Sequence, residues 1–593
     1  MRIPRLFGAA SVAAILALAV VPVRSETGPL QAGFAVRSIV PSPALMSEVY
    51  SVVGGKHPTT VLDPIEARAA YVESHGTRLV IVSLDLLGLF NDDVVLIRDE
   101  IRAHSSEGVN VIVASTHTHS SIDTLGIYGP DETQTGLNDE YQAFVRAQAV
   151  EAAVAAISAA QPAIVRAGRL EAPDGYNEFD RNRHAGSFDD GVTSIRFDGP
   201  DGALGTIVNW ASHPELIDPD ATNDPAIARG DVVISSDYVH TLRTTVEAGG
   251  GGTTVFVNGP IGAVTALAMP IVDPDTSEVF PRRSVAKARH VGAVIGRTAL
   301  DAVAAPGART IEQAPLVVRN RVFDLRVNNP FILAIRAAGT LQRQLYVAGV
   351  PAPFGNDVRT EMTLVRLGPI EFLTTPGEMA PDLYTGVYLP EDEQANPDVP
   401  DEQPIRGQMT GDLRFIIGLG QDELGYFVAA NDYTWPSFYP VYGQGVDRNG
   451  VRHYQETLSI GRDTARRLSQ IASMLLETRP EPDYLPYPGG FLASGDRPLY
   501  GTADADVRGI WIDSSDSGRY ERGEDAALFT PLPSGTPAAF GYLDSQSRDI
   551  GSVPTRSARG VWIDGDGNGS FSAQKDPHAF FDTYAFGEGQ PSF

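Results

Sequence analysis

Two histidine segments carry the chemistry this chain could perform. Ser115-Thr116-His117-Thr118-His119-Ser120 follows the β-branched run Val111-Ile112-Val113. Asn209-Trp210-Ala211-Ser212-His213-Pro214 follows Thr206-Ile207-Val208. A strand that ends in a polar histidine loop fixes the direction of its ring nitrogens, and metal sites are commonly built that way. His117 and His119 are two residues apart, so they face one side if the strand continues through them. Both could then bind one metal, or one could bind while the other acts on substrate. His213 precedes a proline, which restricts its backbone and orients the loop.

Two further residues sit in comparable settings. Glu378, in Thr374-Thr375-Pro376-Gly377-Glu378, follows an apolar strand, and Tyr426, in Glu423-Leu424-Gly425-Tyr426-Phe427, opens an apolar run. Read alone, the first is a solvated strand-end carboxylate and the second a core tyrosine. Asp85, closing Ser83-Leu84-Asp85, is either a strand-end acid or a group that orients a metal ligand from behind. The chain has no cysteine, so any metal must be held by histidine, carboxylate, tyrosine or backbone oxygen.

The elements that would position these residues follow from periodicity. Arg78 to Leu84 and Asn110 to Ala114 are apolar β-branched runs and predict buried strands, as does Thr253 to Val257. Asp139 to Ala160 predicts a long helix capped by Asn138, with Ala143, Ala147, Val150, Val154 and Ile157 on one side. Glu361 to Leu373 predicts two strands joined at Gly368-Pro369, and Arg462 to Leu476 a closing helix. Alternating strands and helices define the fold class as α/β: a large mixed α/β catalytic domain with a small β-rich C-terminal repeat domain.

The 593 residues divide into four regions. Residues 1–25 read as a signal peptide: Arg2 and Arg5 precede the apolar stretch Leu6 to Val21, and Val23-Arg24-Ser25 offers a cleavage site. The alternative is an uncleaved anchor. Residues 26–478 form the mixed α/β region, and 479–495 read as a Pro/Gly-rich linker. In 496–593, Arg508-Gly509-Ile510-Trp511-Ile512-Asp513 recurs as Arg559-Gly560-Val561-Trp562-Ile563-Asp564. The second copy continues so that Asp564, Asp566 and Asn568, followed by Gly569, match the start of a calcium loop. Asp513, Ser515, Ser517 and Glu524 form a degraded counterpart, and Lys575 takes the place of the final acid in the second copy. A net charge of −28 argues against nucleic acid and anionic membranes as partners. No segment after the leader is long and apolar enough to span a membrane.

Taken together the motifs resemble the neutral, non-lysosomal ceramidase family over most of residues 30–465. The carrying segments are the two histidine motifs, Pro376-Gly377-Glu378, Gly425-Tyr426-Phe427-Val428, and His453-Tyr454-Gln455-Glu456-Thr457 followed by Gly461. The resemblance implies one zinc ion held by two histidines, a glutamate and a tyrosine. By motif these are His117, His213, Glu378 and either Tyr426, which is favoured, or Tyr454. It places His119 against the substrate as general acid, with Arg183 and Tyr454 as further catalytic residues stabilising the oxyanion. The implied reaction is zinc-dependent hydrolysis of the amide bond of an N-acylsphingosine or similar N-acyl lipid by a secreted or periplasmic enzyme.

The chain departs from the family in three places. Ser121-Ile122-Asp123-Thr124 stands where the family has a Gly-Pro-Gly-type turn, and Gly262-Ala263-Val264-Thr265 replaces a Gly-Asp-Val-Ser stretch. The repeat tail is unlike the family's immunoglobulin-like domain. Two other readings follow: a zinc hydrolase of another ester or amide (an acyl sugar, a lactone, a peptide), or a non-catalytic surface-binding protein whose tail uses calcium.

Overall fold

The computed structural model describes residues 29–476 apart from short stretches (106–107, 132, 177–182, 185, 265–269, 274–275, 281–282, 348–349, 352–354, 435–444 and 447–451) and separate segments between 489 and 586. The expected signal peptide and the degraded loop from Asp513 to Glu524 lie outside the described residues.

Three sheets build the main body. In the first, β1 (Gln31–Ser38), β2 (Glu66–Ser74) and β3 (Thr77–Leu84) are antiparallel neighbours. The chain then crosses through α1 (Asn91–His104) to β4 (Asn110–Ser115), which pairs parallel with β3. Helix α2 (Asp139–Ser158) starts where predicted, with Asn138 Oδ1 accepting the Tyr141 N–H at 3.0 Å. Of the side expected, Val150 is buried and Val154 and Ile157 pack against the core, but the first two turns are rotated. Tyr141, Val145, Ala149, Ala152, Ala153 and Ala156 are buried, while Ala143 and Ala147 are exposed. In an Ala-rich helix periodicity fixes a stripe weakly, and the side that carries Tyr141 and Val145 offers more surface to the core. The small residues also let β1 approach: a Cβ on Gly33 would fall 2.2 Å from the Ala156 carbonyl oxygen.

The second sheet comprises β5 (Ile164–Glu171), β6 (Gly191–Gly199) and β7 (Gly202–Trp210) in antiparallel order. A crossover through α3 (Tyr238–Ala248) leads to β8 (Thr253–Asn258), parallel to β7. Helix α4 (Val285–Ala304) packs beside α3 over this sheet's outer face, where Trp210, Tyr238, Leu242, Val291 and Ile295 form one core cluster. The third sheet runs from β9 (Leu316–Arg326), with α5 (Pro330–Ala338) following it, to β10 (Asp357–Leu367) and β11 (Ile370–Thr374), then a short β12 (Glu378–Met379). Next come β13 (Leu413–Ile417), parallel to β11, and β14 (Tyr426–Phe427), parallel to β12. Helix α6 (Thr464–Leu476) covers the outside of this sheet.

The inner faces of all three sheets share one core, with Ile81, Ile112, Ile207, Val257, Phe372 and Ile417 among its members. Buried amides stitch the carboxyl ends together. Asn209 Nδ2 donates to the carbonyls of Val257, Asn258 and Ile416 at 3.1, 3.1 and 3.0 Å, and Asn258 Nδ2 donates to Thr116 O at 3.0 Å. Gln421 takes the Val113 N–H at 3.1 Å and donates to Val111 O at 3.1 Å. The parallel pairs β3–β4, β7–β8 and β11–β13 therefore end in one region, where open α/β sheets place their ligands.

Beyond residue 476 the described elements are strands and the loops between them. Gly489–Ala493, expected to close the linker, is part of a sheet with Arg497–Leu499, Val507–Ile512 and Ala526–Phe529. A second sheet holds Phe540–Leu543, Gly560–Ile563, His578–Phe580 and Ala585–Phe586. Each copy of the repeat contributes a strand with a buried tryptophan, Trp511 or Trp562. No helix among the described residues is long and apolar enough to cross a membrane.

Candidate metal centre

His117 stands just past the end of β4. The strand does not continue through it: β4 stops at Ser115, and His117 has φ +68°, a backbone state that few side chains adopt. Its N–H donates to Leu86 O at 2.9 Å, and its ring Nδ1 lies 2.7 Å from Leu87 O. That carbonyl fixes Nδ1 as the protonated nitrogen and leaves the Nε2 lone pair free. His213, past the end of β7, is oriented in the same way, with Nδ1 2.5 Å from Val264 O. Its Nε2 faces Glu378 Oε2 at 3.0 Å, and His117 Nε2 lies 3.5 Å from the same oxygen.

Glu378 and Tyr426 are direct partners across the β12–β14 pair, so both side chains leave on one face. Gly262 permits this arrangement. Its N–H donates to Met379 O at 2.9 Å, and a Cβ there would sit 2.2 Å from Glu378 O. The Gly262-Ala263-Val264 stretch thus serves the centre through its backbone, so His213 is held without an acid at position 263.

His119 completes the group. Its ring centroid is 4.8 Å from that of His117 and 5.6 Å from that of His213. Each of the three histidines offers a nitrogen within 4.8 Å of the others. His119 Nδ1 lies 4.0 Å from Glu215 Oε2, while its Nε2 is buried without a hydrogen-bond partner. An orphaned buried nitrogen beside two lone pairs and a carboxylate fits a borderline cation of the zinc type. Burial is the main cause that lowers His117 to about 3 and His119 to about 4, which keeps both imidazoles neutral at pH 7. Burial opposes the charge on His213 as well, but Glu378 outweighs it and raises the value. Burial, with Glu378 and Tyr454 adding, also pushes the Tyr426 phenol well up.

The other expected site residues are placed differently. Tyr454 packs edge-on against Tyr426, with centroids 5.7 Å apart. Arg183 is held by two carboxylates: its Nε donates to Asp432 Oδ2 at 2.6 Å and its Nη2 to Glu456 Oε1 at 2.7 Å. Its backbone N–H donates to Ala263 O at 3.1 Å, next to the Val264 carbonyl that orients His213, and its Nη1 is buried without a hydrogen-bond partner. Asp85 pairs with Arg243 at 2.7 Å and touches the histidine loop only through Thr116 Oγ1 at 3.3 Å. In the tail, Asp564, Asp566 and Asp576 form an acidic group. The carboxyl of Asp564 accepts the N–H groups of Gly567 and Gly569, Asn568 Oδ1 accepts that of Ser570, and Lys575 pairs with Asp566 at 3.3 Å.

A pocket opens onto the histidine group and holds roughly 930 Å³ of empty space counted to its open mouth. His117, His119, Glu378 and Tyr426 lie on its wall, and the rest is mainly apolar, including Ile332, Leu333 and Ile335 of α5. Asn329 anchors that helix: its side chain caps Phe331 N at 3.0 Å and donates to the carbonyls of Glu456, Thr457 and Ser459. Glu423, Gly262 and the Val264 carbonyl are parts of the site that sequence reasoning missed. The Gly-Ala-Val-Thr departure was the signal nearest to two of them.

No protein-family model matches the chain, and no curated protein matches it in sequence. Solved structures do. The chain is similar to neutral ceramidase from Pseudomonas aeruginosa at a TM-score of 0.55 and 16% identity, over 76% of this chain and 75% of that one. It is also similar to a ceramidase complexed with C2, at a TM-score of 0.52 and 14% identity, over 90% and 91%. The chain therefore has a mixed α/β fold of the neutral ceramidase kind.

Proposed function

We propose that this protein is an exported zinc-dependent amidohydrolase that cleaves an N-acyl lipid of the ceramide class. One observation carries the reading: His117, His213 and Glu378 converge beside a mainly apolar pocket, in a fold shared with ceramidases. His117, His213, Glu378 and Tyr426 would hold the ion, with Tyr454 packed against Tyr426. A zinc ion so bound supplies Lewis acidity and water activated near neutral pH. The neutral ring of His119 would take the proton lost by the attacking water at Nε2 and hand it to the leaving amine as the C–N bond breaks. Arg183, held by Asp432 and Glu456, would stabilise the developing oxyanion through its remaining Nη1. The apolar pocket takes the lipid chain and excludes water from the amide. Arg2, Arg5 and the apolar stretch after them support export.

The test sets an N-acylsphingosine beside a simple ester, an acylated sugar and a peptide amide, with purified mature protein. Preferential sphingosine release is expected. Equal or better turnover of the ester, sugar or peptide would replace the substrate assignment.

A further inference from the structure

The pocket beside the histidine group is apolar on most sides, with Leu87, Phe90, Leu125, Leu458 and Ile460 on its wall. Glu423 interrupts that lining. It sits on the turn that enters β14, three residues before Tyr426, and Leu424 N–H holds the turn to Pro376 O at 3.0 Å. The Glu423 residue is only 6% exposed. One oxygen, Oε1, accepts the Gly425 N–H at 2.9 Å, and the other, Oε2, is buried with no hydrogen-bond partner. The side chain is held in place: a Cβ on Gly88 would fall 2.5 Å from Glu423 Cγ. Arg343 also lines the pocket, but its fork is taken by Asp422 at 2.6 and 2.7 Å. Nothing in the mechanism above uses Glu423.

We propose that Glu423 determines specificity by hydrogen-bonding a hydroxyl group carried on the first carbons of the substrate's acyl chain. The inference rests on the amidase reading. A hydroxyl can both donate and accept, so it satisfies Oε2 as acid or as carboxylate, whereas a methylene leaves it unpaired. A site built to bond a substrate hydroxyl rejects the analogue that lacks it. The position follows from the fold. Glu423 and Glu378 line the same pocket, and in the amidase reading the α- and β-carbons are the first chain atoms past a carbonyl held at the His117–Glu378 group.

The test uses the full-length zinc-loaded protein and its Glu423→Gln and Glu423→Leu variants. Each is assayed on N-acylsphingosines whose acyl chains are plain, α-hydroxylated or β-hydroxylated. Calorimetry with the corresponding free fatty acids reads the same discrimination without amide cleavage. The wild type is expected to favour a hydroxylated chain by about tenfold or more in kcat/KM. Glu423→Gln, which keeps the shape and the Oε1 acceptor, retains part of that ratio, and Glu423→Leu brings it close to one. A ratio in Glu423→Leu equal to that of the wild type, or no wild-type preference in either assay, overturns the proposal. If no amide is cut but the hydroxylated acids still bind better in a Glu423-dependent way, the amidase reading fails and the role of Glu423 stands.

Discussion

His119 and Glu378 face the same space but do different work. Glu378 supplies an anionic oxygen between two imidazole nitrogens, and His119 presents a nitrogen that nothing else uses. Glu378→Gln is expected to lose zinc and activity together. His119→Gln keeps zinc and loses about 10²–10⁴ in kcat, the range of a general acid–base group. Zinc content measured beside kcat separates the two, and loss of zinc from His119→Gln would make it a ligand instead. His117 also sets a pH dependence. Its folded value of about 3 lies below the ordinary 6.5, so in that interval the unfolded chain binds a proton that the folded one does not. Stability of the metal-stripped protein therefore falls as pH is lowered through that window. Melting curves should show this fall, and His117→Gln should flatten it; an equal slope in both would contradict the assignment. At this scale the sequence showed the histidines, the glutamate and the tyrosine. It misjudged the route by which His117 and His119 come together, because alternation was assumed where the chain takes a left-handed turn.

Elements deliver these residues because parallel pairs share their carboxyl ends. β3 with β4, β7 with β8, and β11 with β13 all finish where the histidine and glutamate loops begin. Asn209 joins β7, β8 and β13 through three donated bonds. Asn209→Ala removes both amide hydrogens from the carbonyls of Val257, Asn258 and Ile416, of which Asn258 O still accepts the Gly418 N–H, and is expected to cost about 1–3 kcal/mol in denaturant unfolding. A loss below about 0.5 kcal/mol would show that the seam closes without it. Gly262→Ala tests the approach of the Val264 loop to β12. The added Cβ meets the Glu378 backbone, so zinc affinity should drop while the bulk of the fold persists by circular dichroism. Strands such as Arg78–Leu84 and the cap of α2 were legible because they depend on local pattern. The β12–β14 pairing that sets Glu378 beside Tyr426 was not, since it joins two-residue strands distant in sequence.

At the scale of the whole molecule, a mainly apolar pocket and a group of histidines that could hold a metal ion lie in a fold similar to that of neutral ceramidase. Composition excluded thiolate ligands and a basic partner surface from the start, and the order of the motifs conveyed the fold. The depth of the pocket was not readable, because its wall is assembled from β3–β4 loops, α5 and the segments around 424 and 458. Zinc bound to the folded chain alone should raise its Tm, and His213→Ala should abolish the rise. The most direct measurement is sphingosine release from an N-acylsphingosine by the mature protein, after chelation and again after zinc is returned, beside His213→Ala. The account predicts release that chelation stops, zinc restores and the variant lacks. Full release in the presence of the chelator, or by His213→Ala, would contradict it.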